Sequence, residues 1–131
     1  MKASELRIGN IVEVNGKFVT VKSIEFNPVS NEYYLRVGEQ FGGIKAEFVN
    51  PITLTEEWLL KLGFIKHNNN NSMVDFIDGK TGWFTLAERD GFFCLCEYRD
   101  LIGEQFKYVH QLQNLYFALT GKELELKENG K

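Results

Sequence analysis

Residues 1–50 carry short apolar runs separated by turn residues, the pattern of a small β structure. Ile11-Val12-Glu13-Val14, Asn15-Gly16 and Phe18-Val19-Thr20-Val21-Lys22-Ser23-Ile24 read as a hairpin. Asn-Gly supplies the two positive-φ positions of a type I′ turn, and β-branched residues flank it. Tyr33–Val37 predicts a third strand, Gly38 to Gly43 a glycine-rich turn, and Ile44–Val49 a fourth strand. Asn50-Pro51 ends the run, because proline cannot continue a ladder. Strands this short and closely spaced fit an SH3-like β-barrel or a strongly bent sheet, shapes that protect most strand edges.

The period then changes. Leu54-Thr55-Glu56-Glu57-Trp58-Leu59-Leu60-Lys61-Leu62-Gly63 predicts a compact helix with both ends encoded. Thr55 is the N-cap, and Glu56 and Glu57 sit where the helix dipole favours acids. Leu54 and Leu59 are spaced as a hydrophobic staple, and Gly63 is placed to end the helix. A meander of four strands should follow: Phe64–His67, Val74–Ile77, Trp83–Ala87 and Phe92–Tyr98. Asn68–Asn71 is a polar loop, and Asp78-Gly79 and Asp90-Gly91 are turn dipeptides. The last of these strands is apolar on both faces, with Phe92, Cys94, Cys96 and Tyr98 on one and Phe93 and Leu95 on the other.

A second helix runs from Phe106 or Tyr108 to Thr120, with Gly121 as its stop. Tyr108, Val109, Leu112, Leu115, Tyr116 and Leu119 fall within a stripe of roughly 120°. Gln113, Phe117, His110 and Asn114 lie off that stripe, at about 40°, 80°, 100° and 140° from Val109. A phenylalanine framed by His, Gln and Asn has the make-up of a contact patch, an aromatic anchor ringed by hydrogen-bonding groups. The competing expectation is that the N-terminal barrel or the C-terminal strand covers it. The chain thus divides into 1–52, a small SH3-like β subdomain; 53–122, helix–β-meander–helix; and 123–131, a short strand and frayed tail. The fold class is α+β.

Composition narrows the functional classes. With 131 residues, the chain folds as one domain or two very small ones and buries about two thirds of its surface. Aromatics make up 14% of it, 11 Phe, 5 Tyr and 2 Trp, which is material for a core. Fifteen Lys+Arg against 18 Asp+Glu leave a net charge of −3. The nearest thing to a basic cluster, Lys2, Arg7, Lys17 and Lys22, is interrupted by Glu5 and Glu13. That pattern counts against a phosphate backbone as the main partner. No run approaches the ~20 apolar residues of a membrane span, and Glu5 and Arg7 interrupt any apolar signal core. A cytoplasmic protein with no membrane partner is expected, and two cysteines at i, i+2 on one strand suit small buried apolar residues in a reducing compartment.

Three blocks carry a resemblance: Leu6-Arg7-Ile8-Gly9-Asn10, then Leu54 through Phe64, then Val109-His110-Gln111-Leu112-Gln113-Asn114-Leu115-Tyr116-Phe117-Ala118-Leu119-Thr120-Gly121. In that order, and from end to end, the chain resembles small proteins of Bacteroidales chromosomes, prophages and related mobile elements. The resemblance implies a bacterial or phage cytosol and an accessory role. It implies no catalytic residue.

No constellation specifies chemistry. Cys94, Cys96, His67 and His110 would supply a four-ligand zinc set by count, but the cysteines sit inside an apolar strand and the histidines stand alone, without the paired spacing of structural sites. Cys94 or Cys96 with His110 would make a nucleophile–base pair, but phenylalanine and leucine surround the thiols. Asp75, Glu88, Asp90 and Glu97 sit in the meander, where two acids in a cleft could do acid–base work, but Glu88 and Asp90 flank a turn, where charge is ordinarily solvation. Gly38, Gly42 and Gly43 precede a strand and lack the lysine of a phosphate loop. No metal, cofactor or catalytic residue is therefore expected. The leading expectation is a non-enzymatic binding or adaptor protein acting on a protein partner, either itself or a host or phage protein. The alternative is a nucleic-acid-binding module using the barrel, and the third is a small enzyme.

Overall fold

In the computed structural model, which describes residues 1–38, 43–68, 74–97 and 100–126, the chain is α+β in the expected order. A turn of 3-10 helix at Ala3–Glu5 precedes β1 (Ile11–Val14), β2 (Lys17–Asn27), β3 (Glu32–Val37) and β4 (Ile44–Lys45). After a second 3-10 turn at Ala46–Phe48 come α1 (Glu56–Lys61), β5 (Phe64–Asn68), β6 (Val74–Asp78), β7 (Thr85–Arg89), β8 (Phe92–Glu97), β9 (Asp100–Phe106) and α2 (Val109–Thr120). The strands form two antiparallel sheets in sequence order, β1–β4 and β5–β9. No helix among the described residues is long and apolar enough to cross a membrane.

The first sheet curls into a half-barrel, and β2 is why. Its first half pairs with β1 and its second half with β3, and the register slips between Val21 and Ser23. Lys22 is the extra residue, a bulge that sharpens the bend. Asn15 and Gly16 take φ of 51° and 79°, as the Asn-Gly turn predicts. The curl is joined back to β1 by a single bridge, in which Glu13 and Asn50 exchange N–H···O bonds of 2.9 Å. Leu6, Val12, Val14, Val21, Leu35, Val37, Ala46 and Val49 fill the interior.

The expected fourth strand stops at Lys45 because of where its apolar residues must go. Ala46 and Val49 are both buried in this core. Three residues apart, they would face opposite sides of a strand, whereas a 3-10 turn puts them on one side.

The larger core lies between the second sheet and the two helices, around Trp58, Leu59, Phe64, Phe76, Phe84, Phe93, Leu112 and Tyr116. Thr55 caps α1 by accepting from the Trp58 N–H at 3.3 Å, and Gly63 ends it at φ +92°. Gly121, at φ +73°, ends α2 by donating to Phe117 O at 2.8 Å. The meander has five strands rather than four. The added strand, β9, is broken at Gly103 (φ +77°), and its register with β8 shifts between Phe93 and Leu95. Phe84 and Trp83 belong to the loop before β7, not to the strand. Glu123–Leu126 forms no strand; Leu124 instead inserts into the larger core. The expected roles of Tyr98, of Asn69–Asn71, of most of the Gly38 to Gly43 turn and of the tail at 127–131 lie outside the described residues.

The two cores share β1. Val12 and Val14 point into the curled sheet, while Ile11 joins the larger core. A second contact crosses over at Phe18, whose ring meets Trp58 edge-on at 5.1 Å. Residues 52–54 are clamped to the start of α2 by Leu54 N–H to Lys107 O (2.7 Å) and Val109 N–H to Ile52 O (2.9 Å).

Candidate functional site

The four residues singled out on α2 come together, and segment 5–11 of the same chain lies against them. Gln113 is buried. Its Nε2 donates to Gly9 O at 3.1 Å, and its Oε1 accepts from the Ile11 N–H at 2.8 Å and from Asn10 Nδ2 at 3.4 Å. Asn10, also buried, donates to Asn114 Oδ1 at 2.9 Å and accepts the Arg7 N–H at 2.6 Å. Asn114 Nδ2 donates to Glu5 O at 3.1 Å. His110 is buried and stacked on Tyr108, with ring centroids 5.8 Å apart, and its Nδ1 finds no partner. Burial pushes the imidazole pKa down, and the nearby Glu5 carboxylate opposes that without overcoming it. Phe117 alone keeps a substantial exposed face, 39% of its surface, with the Arg7 guanidinium 4.2 Å above its ring. Arg7 is itself held by Glu123 through bonds of 2.7 and 3.1 Å.

The apolar stripe therefore does not mark the whole buried face. Leu119 is exposed, whereas Val109, His110, Leu112, Gln113 and Tyr116 are buried. The buried arc is turned roughly 80° toward Gln113 from the stripe read in the sequence. Two neighbours demand two kinds of surface. The second sheet takes hydrocarbon, while β1 and the segment before it present unpaired backbone groups that polar side chains must meet. Arg7 and Asn10 complete the seam and were not singled out in advance. The one sequence signal for them is the block Leu6-Arg7-Ile8-Gly9-Asn10.

A second buried polar group lies across the larger core. Asp78 accepts from the Tyr116 hydroxyl at 2.7 Å and from the Thr81 and Lys80 amides at 3.0 and 3.2 Å. Burial alone would raise its pKa, but these donors outweigh it and hold the carboxyl below the usual range. Burial, and then the Asp78 carboxylate, pushes the Tyr116 hydroxyl up to about 12. Buried and accepting from three donors, this carboxylate fastens α2 to the loop after β6.

The remaining candidates are dispersed. Cys94 and Cys96 are buried free thiols, and Cys94 donates to Ile102 O at 3.3 Å inside the β8–β9 bulge. His67 lies exposed on β5, away from the buried His110 on α2. Among the described residues no three His, Cys, Asp or Glu side chains are grouped to hold a metal.

Exposed aromatic surface concentrates on the curled sheet. Phe26 and Tyr33 pair across β2 and β3 at 5.0 Å, each about half exposed. They continue the inner face of that sheet beyond Ile24 and Leu35, and an open groove of about 490 Å³ follows, lined by Ala3, Ile24, Tyr33 and Ala46 with Glu32 and Lys45 at its rim. A second groove, of about 560 Å³, runs beside the Glu13–Asn50 bridge, where Phe48 is 61% exposed. Outside this sheet, Trp83 is 56% exposed on the loop before β7. Its backbone N–H donates to Thr81 Oγ1 at 3.3 Å.

Set against known proteins, the chain matches no family model, no curated protein and no solved structure, and its geometry carries the functional argument.

Proposed function

We propose that the chain is a non-enzymatic binding or adaptor protein that works through protein–protein contacts on its curled N-terminal sheet. The observation carrying this reading is the set of exposed apolar side chains there: Tyr33 and Phe48 each line one of two open grooves, Phe26 packs on Tyr33, and Val29 stands at the hairpin tip. Aromatic anchors on a rigid sheet are what protein interfaces enrich. The titratable groups point the same way, because Asp78, Tyr116 and His110, whose pKa values are displaced, are buried in structural roles. Four cationic side chains are held in ion pairs, Arg7 with Glu123, Lys45 with Glu32, Lys61 with Glu57 and Lys66 with Glu56. With 15 Lys+Arg against 18 Asp+Glu, the chain has no excess of positive charge for nucleic acid. The sequence resemblance supplies the setting, an accessory protein of a phage or mobile element.

The test is affinity capture from the source organism followed by mass spectrometry, run in parallel with the Phe26→Ala/Tyr33→Ala variant. The expected result is a partner enriched by the wild type and lost from a variant whose melting temperature is unchanged. Partners retained equally by both proteins would refute the assignment to this face. Tight, salt-sensitive binding of a nucleic acid would replace the reading with the barrel-type alternative.

A further inference from the structure

The groove beside the Glu13–Asn50 bridge has a chemical character that its neighbours lack. β1 and β4 are the two free edges of the curled sheet, and the bridge is the single ladder pair between β1 and the segment that follows β4. Next to it the edges stand apart and leave the space of about 560 Å³. Its lining mixes apolar side chains, Val14, Ile44 and the exposed ring of Phe48, with polar Asn15 and Asn50, and it carries two carboxylates, Glu13 and Glu47. Neither carboxylate forms an ion pair with a described residue. Lys45, near Glu47, makes its ion pair with Glu32 at 3.3 Å, and Glu47 acts on it only as a lesser electrostatic neighbour.

We propose that this groove receives a lysine or arginine side chain from a basic segment of a protein partner. Charge complementarity selects the occupant. Two carboxylates line the groove beside hydrocarbon from Val14, Ile44 and Phe48, and a long basic side chain lays its methylenes along that hydrocarbon while its head reaches the carboxylates. The open face of Phe48 adds a cation–π surface, and the net charge of −3 favours approach of a basic partner. This inference rests on the binding reading above and names the partner chemistry for one of its two grooves. The other groove has mixed charge at its rim, from Glu32, Glu47, Lys2 and Lys45, and selects neither sign.

The probe is a short acetylated and amidated Gly-Lys peptide, titrated into the full chain while backbone amide shifts are followed by NMR, with the matching Gly-Glu peptide as control. Shifts are expected at residues 13–16 and 44–50 with the lysine peptide alone, fading at about 0.5 M salt. The Glu13→Gln/Glu47→Gln variant should bind about three- to tenfold more weakly, the effect of removing two partly solvated ion pairs. Phe48→Ala, which leaves both charges in place, should weaken binding by a smaller factor. Shifts spread equally over Glu56, Glu57 and Glu88, or binding undiminished in the double variant, would overturn the proposal. The two failures are separable. A captured partner that ignores Glu13→Gln/Glu47→Gln removes the groove and leaves the adaptor reading, whereas lysine-peptide binding with no captured partner does the reverse.

Discussion

Asp78 and His110 are both buried, yet only one of them is surrounded by hydrogen-bond partners, and the difference sets how the protein responds to pH. Asp78 is held charged by Tyr116, Thr81 and Lys80, so its folded pKa lies below the unfolded value. Its contribution to stability is complete above the ordinary carboxylate range and is lost as pH falls through the folded value. His110 is held neutral, with its folded pKa also depressed. The unfolded chain takes up a proton first, so stability falls as pH drops below about 6.5. Tyr116 acts at the other end. Its folded pKa of about 12 means that the stabilisation is complete below about 10 and lost above it. Melting temperature plotted against pH should therefore form a plateau between about 6.5 and about 10. His110→Gln should flatten the first part of the acid limb, just below about pH 6.5, and leave the alkaline limb unchanged. An acid limb identical in the two proteins would show that His110 is not responsible. The sequence presents Asp78-Gly79 as a turn dipeptide and Tyr116 as one residue in a stripe. Nothing local announces that the two meet, because the partners are 38 positions apart and only the packed sheet and helix bring them together.

Elements with both ends encoded locally were legible, and elements shaped by their neighbours were not. The Asn15-Gly16 hairpin, α1 with Thr55 and Gly63, and the Gly121 stop each depend on residues within a few positions. β4 and β9 do not. β4 is shortened because Ala46 and Val49 must reach one core, and β9 is masked by Gly103, which reads as a break in a strand pattern. That glycine is the adjustable point of the bulge. A Cβ built on it would meet no atom within 4 Å, so the cost of Gly103→Ala is purely one of backbone conformation at φ +77°. The substitution should destabilise the protein by about 1–2 kcal/mol in urea unfolding. A neutral result would mean that the bulge relaxes to a regular ladder at no cost. Cys94, whose thiol donates into the same bulge, was correctly read as a small buried residue, but its hydrogen bond to Ile102 O is a product of that local geometry.

At the scale of the molecule, two small cores are joined through β1 and a polar seam. The side chains of Asn10 and Gln113 satisfy backbone groups at Arg7, Gly9 and Ile11 that no sheet partner reaches. Replacing Gln113 with Leu keeps the approximate volume but strands the Ile11 N–H and the Gly9 C=O. The expected cost is about 2–4 kcal/mol, at the level of two unsatisfied buried groups, with amide exchange accelerating first at Ile11, whose N–H loses its acceptor. Unchanged exchange there would mean that the seam is held by packing alone. The division of the chain near residue 52 was legible from the change of period. The direction in which α2 faces was not, since hydrophobicity marks the side that meets hydrocarbon and is silent about a side that meets backbone.

The edge-on contact between Phe18 and Trp58 also gives the molecule a built-in optical reporter. Of the two tryptophans, Trp58 is buried at the junction with the curled sheet, and Trp83 stands half in solvent. Their emission should differ in colour and in access to a soluble quencher, and replacing Trp83 with Phe leaves a single indole whose spectrum follows the separation of the two halves directly.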